Sequence, residues 1–145
     1  ASTARGTCVV GSGDSLAYCW GFGLGPAATP SPNSPVRRDA PTQIAQISAD
    51  DVDPLVCARK STGHLACWSL YGSYGNCGNG TGLPCDGTVE VAGLIDAIDV
   101  AAGGWHVCAA LSTGTVSCWG INNTGQLGDG TLANSSIPVR VLNVP

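Results

Sequence analysis

Three cysteine pairs recur along the chain, and in each the second cysteine is followed by tryptophan: Cys8 with Cys19-Trp20, Cys57 with Cys67-Trp68, and Cys108 with Cys118-Trp119. The interval is about 50 residues, and a fixed period of that length marks a repeat architecture. The clearest copy runs from His106 to Gly120, HVCAALSTGTVSCWG. Val107–Leu111 and Thr115–Trp119 read as strands, and Ser112-Thr113-Gly114 suits a three-residue hairpin loop closed by glycine in the left-handed region. That register sets Leu111 opposite Thr115, Ala110 opposite Val116 and Cys108 opposite Cys118. Antiparallel pairs alternate between hydrogen-bonded and non-hydrogen-bonded. Counting from a bonded Leu111–Thr115 pair, the cysteines fall on a non-bonded pair, where a cross-strand disulfide fits.

The second copy keeps the turn as Ser61-Thr62-Gly63 and sets Cys57 opposite Cys67. The first copy has one more residue in a looser Gly11–Ser15 turn, and Cys8 still meets Cys19. The repeat thus selects Cys8–Cys19, Cys57–Cys67 and Cys108–Cys118, and Cys77 and Cys85 are left to each other. Each such short loop is worth about 2–4 kcal/mol when closed by a disulfide. Four bridges imply an oxidising, extracellular or cell-surface setting. No cysteine pair has the two-residue spacing of a zinc or redox motif, so neither a metal nor a cofactor is expected.

Between hairpins the repeat continues. Gly125-Gln126-Leu127-Gly128-Asp129-Gly130 aligns with Gly75-Asn76-Cys77-Gly78-Asn79-Gly80, so Cys77 stands where the third copy has Leu127. After Trp20 the same segment erodes to a loop with prolines at 26, 30, 32 and 35. Each segment ends in a short apolar strand at Val36, Val89–Val91 and Val139–Val141. The next unit opens with Ile44–Ile47 or Ile95–Ile98, which align at a 51-residue offset.

Residues 101–141, AAGGWHVCAALSTGTVSCWGINNTGQLGDGTLANSSIPVRV, resemble the regulator of chromosome condensation repeat family in its cysteine-bearing bacterial form. The second copy resembles it moderately and the first weakly. The resemblance implies an all-β, propeller-like fold of four-stranded blades. The expected organisation is a single domain over 1–145: a degenerate first blade at about 1–43, a second at 44–94 and a third at 95–145. Family propellers usually carry seven repeats, and closed propellers need about 4–8 blades. Three blades are incomplete as a single-chain ring. The first also lacks its opening strand, and the chain stops before a fourth would begin.

That incompleteness leads to the expectation of a non-enzymatic extracellular structural protein that binds copies of itself. Residues 1–7 or 139–144 would add to an edge of the next subunit, closing a ring or extending a filament. The alternative is a secreted binding module or inhibitor recognising a protein or glycan through propeller loops, since similar family members include secreted β-lactamase inhibitors. Phe22, Tyr71, Tyr74 and Trp105 are its candidate anchors, while Trp20, Trp68 and Trp119 read as packing residues. Asn79, Asn122 and Asn134 head Asn-x-Ser/Thr sites and are permitted glycan positions.

Charged residues are 11% of the chain, and the net charge of −4 comes with only six scattered basic residues. No basic cluster is present to neutralise a run of phosphates, so nucleic acid is not an expected partner. No apolar run reaches the roughly 18 residues of a membrane span. The longest, Val89–Ala102, is broken by Gly93, Asp96 and Asp99. An enzyme finds little support, because every cysteine is paired and Gly125–Gly130 lacks the Lys-Ser/Thr of a phosphate loop. His106 reads as a satisfied structural histidine and His64 as solvated, and Asp50, Asp51 and Asp53 read as a solvated acidic loop.

Overall fold

A computed structural model describes residues 1, 6–21, 33–38, 40–50, 52, 55–69, 75–83, 85 and 87–144. Among them there are eleven strands in three antiparallel sheets and no helix. Sheet 1 holds β1 (Gly6–Val10), β2 (Ala17–Gly21) and β3 (Val36–Arg37) in that order. Sheet 2 is β4 (Ile44–Ala49), β5 (Val56–Lys60), β6 (Leu65–Trp68) and β7 (Thr88–Glu90), also in chain order. Sheet 3 is β8 (Ala97–Gly103), β9 (His106–Leu111), β10 (Val116–Gly120) and β11 (Ser135–Arg140). The sheets stack in sequence as an open arc: one buried cluster joins sheets 1 and 2, and a second joins sheets 2 and 3.

The hairpins follow from turn length and side-chain alternation. Gly63 and Gly114 hold φ of 86° and 82°, and their N–H groups donate to the Lys60 and Leu111 carbonyls. A residue with a Cβ is strained at such a φ, and the three-residue loop needs one there. Beyond the turns, Cys57 pairs with Cys67 and Cys108 with Cys118, each at a Cα separation of 4.1 Å. That is the close approach of a non-hydrogen-bonded pair. Cys8–Cys19 bridges sheet 1 in the same way, and Cys77–Cys85 closes the loop after β6.

The opening strands align differently from the isoleucine pattern. Ser48 stands opposite Cys57 and Ala101 opposite Cys108, which makes Ile44 equivalent to Ala97 and Ile47 to Val100. Ile44 and Ala97 are buried, whereas Ile95 and Ile98 are 65% and 57% exposed. The cause is loop length. Six residues separate Ala49 from Val56 and four separate the equivalent Ala102 from Val107, so the offset is 53 residues before the loop and 51 after it. Sheet 1 has no opening strand among the described residues. Ala1 nevertheless exchanges both main-chain hydrogen bonds with Cys8, at the ladder position of Ser48 and Ala101.

Candidate interaction faces

Alternation along a strand gives each sheet two unlike faces. One carries the disulfide and meets the following sheet; the other carries tryptophan and meets the preceding one. Between sheets 2 and 3, Leu55, Leu65 and the Cys57–Cys67 bridge pack against Val100, Val107, Ala109 and Trp119. Between sheets 1 and 2, the Cys8–Cys19 bridge and Ala17 pack against Val56, Ala58 and Trp68. Trp119 sits over Gly78, and its indole N–H donates to the Asn76 carbonyl at 3.0 Å. A Cβ on Gly78 would stand 2.6 Å from that indole nitrogen, so only glycine admits the ring.

Two faces have no sheet against them among the described residues. On sheet 1, Thr7, Val9 and Trp20 hold the ladder positions of Val56, Ala58 and Trp68. Val9 is 43% exposed and Trp20 half-buried, whereas Ala58 and Trp68 are 0% and 1% exposed. Trp20 therefore departs from the packing role expected of all three tryptophans: among the described residues no sheet lies in front of it as one does for the other two. On sheet 3, His106, Val116 and Cys108 are half-buried, while Leu55, Leu65 and Cys57 at the same positions of sheet 2 are fully buried. The His106 Nδ1 is enclosed and finds no hydrogen-bond partner among the described residues, so this histidine is not the satisfied one expected.

Sheet 2 also grips sheet 3 through its inner edge. The Asp50 carboxylate is buried and accepts N–H bonds from Val52 at 2.8 Å, Gly104 at 3.0 Å and Trp105 at 2.8 Å. Asp50 is thus not part of a solvated acidic loop, and Asp51 and Asp53 lie outside the described residues. Ser48 Oγ accepts from Ala102 N–H, and the Gln46 amide donates to Asp99. Gly104 and Trp105 form the β8–β9 turn with φ of 54° and 70°, the left-handed pair of a type I′ turn. Trp105 is a bulky residue in a region that penalises it, and it is 43% exposed.

Of the other expected anchors, Phe22, Tyr71 and Tyr74 lie outside the described residues. His64 is exposed. Asn122 is fully buried; its amide donates to Asp129 and Thr131, and its Oδ1 accepts from Leu127 N–H. The Asn122 amide of the expected glycan position is therefore engaged inside the folded chain. Asn79 is half-buried and Asn134 exposed. Asp129 accepts from the Thr131 N–H and hydroxyl and from Asn122, and these bonds hold its carboxyl below the usual aspartate range. No group of three or more potential metal ligands occurs among the described residues. No helix among them is long and apolar enough to cross a membrane.

Two models of the Regulator of chromosome condensation (RCC1) repeat match the chain, over residues 97–126 and 113–145. The human E3 ubiquitin-protein ligase HERC2 is 29% identical over 136 residues, which span 83% of this chain and 3% of the ligase. The same holds for mouse HERC2. Among solved structures, yeast RCC1 (Prp20) bound to Kap60 superposes with a TM-score of 0.78 at 19% identity, covering 95% of this chain and 33% of that one. Residues 97–145 match the RCC1 repeat, and the whole chain has the fold of RCC1 structures. Human WBSCR16 has the same fold, with a TM-score of 0.80 at 19% identity over 96% of this chain and 36% of its own. The RCC1-type chain thus spans about a third of the solved propellers it superposes on. Another Prp20 structure, from Saccharomyces cerevisiae, is described with its binding to Gsp1p and histones. In the RCC1-type chain four disulfides accompany the fold, a state compatible with an oxidising compartment.

Proposed function

We propose that this RCC1-type chain is a non-enzymatic protein-binding unit that works outside the cell and takes further copies of itself as its partner. Its three repeats, at about 1–43, 44–94 and 95–145, act as one body in this reading. The observation that carries it is the pair of uncovered faces. Sheet 1 presents a tryptophan face and sheet 3 a disulfide face, the two unlike halves from which both internal junctions are made. Unlike halves at opposite ends favour head-to-tail association, which closes a ring or propagates as a filament according to the rotation between copies. The fold of proteins that bind Kap60, Gsp1p and histones supports a binding role over a catalytic one. Light scattering after size exclusion should give masses above the 14.5 kDa chain that rise with concentration. Electron microscopy of the same material separates ring from filament. A stable monomer at every concentration would sink self-association.

A second reading rests on Trp105. An aromatic ring held half-exposed on a strained turn by a buried carboxylate is a preorganised anchor for another protein or a glycan. Trp105→Ala should abolish such binding and leave the fold intact. Retained binding to a captured protein or glycan would assign the anchor elsewhere.

A further inference from the structure

Each internal junction is a worked example of how one of these sheets docks on the next, and the two uncovered faces can be read against it. The junction between sheets 2 and 3 has three layers. At the inner edge, Gln46, Ser48 and Asp50 hold the main chain of β8 and the turn after it. In the middle, the Cys57–Cys67 bridge and Leu65 receive Val107 and Ala109. At the outer edge, the Asn76–Gly78 segment receives Trp119, and Gly80 N–H donates to the Ser136 carbonyl at 2.8 Å.

Moving one repeat along the chain replaces each receiving group by its counterpart in sheet 3. The middle layer is retained: Cys108–Cys118 stands for Cys57–Cys67 and Val116 for Leu65. The outer layer is retained as well. The 125–130 segment has the turn bonds of 75–80, with Gly128 N–H donating to the Gly125 carbonyl as Gly78 does to Gly75. Both later glycines keep positive φ, and the Gly128 carbonyl accepts from Leu142 as Gly78's accepts from Ala92. Only the inner layer is lost, because Ala101 and Gly103 stand where Ser48 and Asp50 supply oxygen acceptors.

The incoming half is equally complete where it is needed. Thr7, Val9 and Trp20 occupy on sheet 1 the positions that dock Val107, Ala109 and Trp119. On sheet 1 the ladder position of Ser48 is taken, among the described residues, by Ala1 beside Cys8.

Resting on the self-association reading, we propose that Trp20 of one copy docks over Gly128 of a second and donates its indole N–H to the Gln126 carbonyl. Thr7 and Val9 lie on the second copy's Cys108–Cys118 bridge and Val116. Val141, whose side chain lies against Gly128, moves aside to admit the ring. The junction is heterologous, and each copy offers one half of it at either end. Lacking the inner polar layer, it is weaker than the internal junctions.

The test uses the whole chain and two kinds of face variant. Val9→Glu and Trp20→Ala disable the sheet 1 face; both residues are accessible, so the fold should survive. Val116→Glu disables the sheet 3 face, with His106→Glu as a second choice should the first misfold. Circular dichroism and non-reducing peptide maps verify each variant. Wild-type chain should oligomerise, each variant alone should be monomeric, and a sheet 1 variant mixed with a sheet 3 variant should give a 1:1 dimer and nothing larger. A benzoylphenylalanine at position 20 should cross-link to residues 125–130 of another copy. If wild-type chain oligomerises and the folded variants do so equally well, the docking is wrong and self-association stands on another surface. A mixture that stays monomeric also overturns the head-to-tail arrangement. Wild-type chain that is monomeric throughout overturns both readings at once.

Discussion

The two internal junctions are built on the same positions and finished by different chemistry. Between sheets 2 and 3, the regular glycine-punctuated segment after Trp68 places a carbonyl at Asn76 under the Trp119 indole and leaves room above Gly78. Between sheets 1 and 2, the corresponding segment after Trp20 is the proline-rich one. There the Trp68 indole N–H is buried and finds no acceptor among the described residues, and the Arg38 guanidinium lies 5.1 Å from the ring centroid. Burial lowers the Arg38 pKa, as expected for a cation removed from water onto an aromatic face. The apolar part of the junction is thus conserved between the repeats while its hydrogen bond is not. Burial needs only shape and apolar area, whereas an N–H bond needs one carbonyl in one place.

This difference can be broken experimentally, beginning with its strongest element. Trp119→Ala removes a fully buried ring from the better-finished junction and should cost about 3–5 kcal/mol in denaturant unfolding. A loss under 1 kcal/mol would mean that sheet 3 does not depend on sheet 2. Asp50→Ala strips three N–H groups of their charged acceptor and should cost about 1.5–3 kcal/mol. Hydrogen exchange at Gly104 and Trp105 should speed up in that variant, and unchanged exchange there would refute the clamp.

The sharpest comparison comes from phenylalanine. Trp119→Phe removes the buried indole hydrogen bond to the Asn76 carbonyl and should cost about 1–3 kcal/mol beyond the lost contact area. Trp68→Phe removes a donor that has no acceptor, so this extra penalty should be absent. Equal losses in the two variants would show that the hydrogen bond contributes nothing. The smallest effect belongs to Asp129, whose depressed pKa contributes stability that is present above the unfolded-state value of about 3.9 and lost as pH falls through the folded value. NMR titration should find its carboxyl below that value, and Asp129→Asn should flatten the acid limb of the stability profile slightly.

Much of the fold was legible because it is local. The cross-strand bridges follow from a three-residue turn and a period of two, both of which can be counted along one hairpin. The strand at Ile95–Ile98 was misplaced because its register depends on the length of a loop that carries no repeat signature. The same loop hid Asp50, since nothing near it in sequence announces that its carboxylate reaches a turn more than 50 residues away. An alignment that allowed a two-residue gap between β4 and β5 would have moved the pattern onto Ala97 and Val100. Three residues suffice to write the sequon at Asn122, whereas its burial is decided by the loop that folds over it.

What the sequence determined by itself is the repeated unit: its hairpin, its cysteine partners and the tryptophan that follows them. These depend on neighbours within about 15 residues, where backbone geometry leaves few choices. Only the tertiary structure decided which copies of that unit are finished. Trp20, Trp68 and Trp119 occupy the same position in their hairpins, and they differ because, among the described residues, two have a sheet in front of them and one does not. Burial is a property of what comes to lie against a face, and no face carries that information within its own strand.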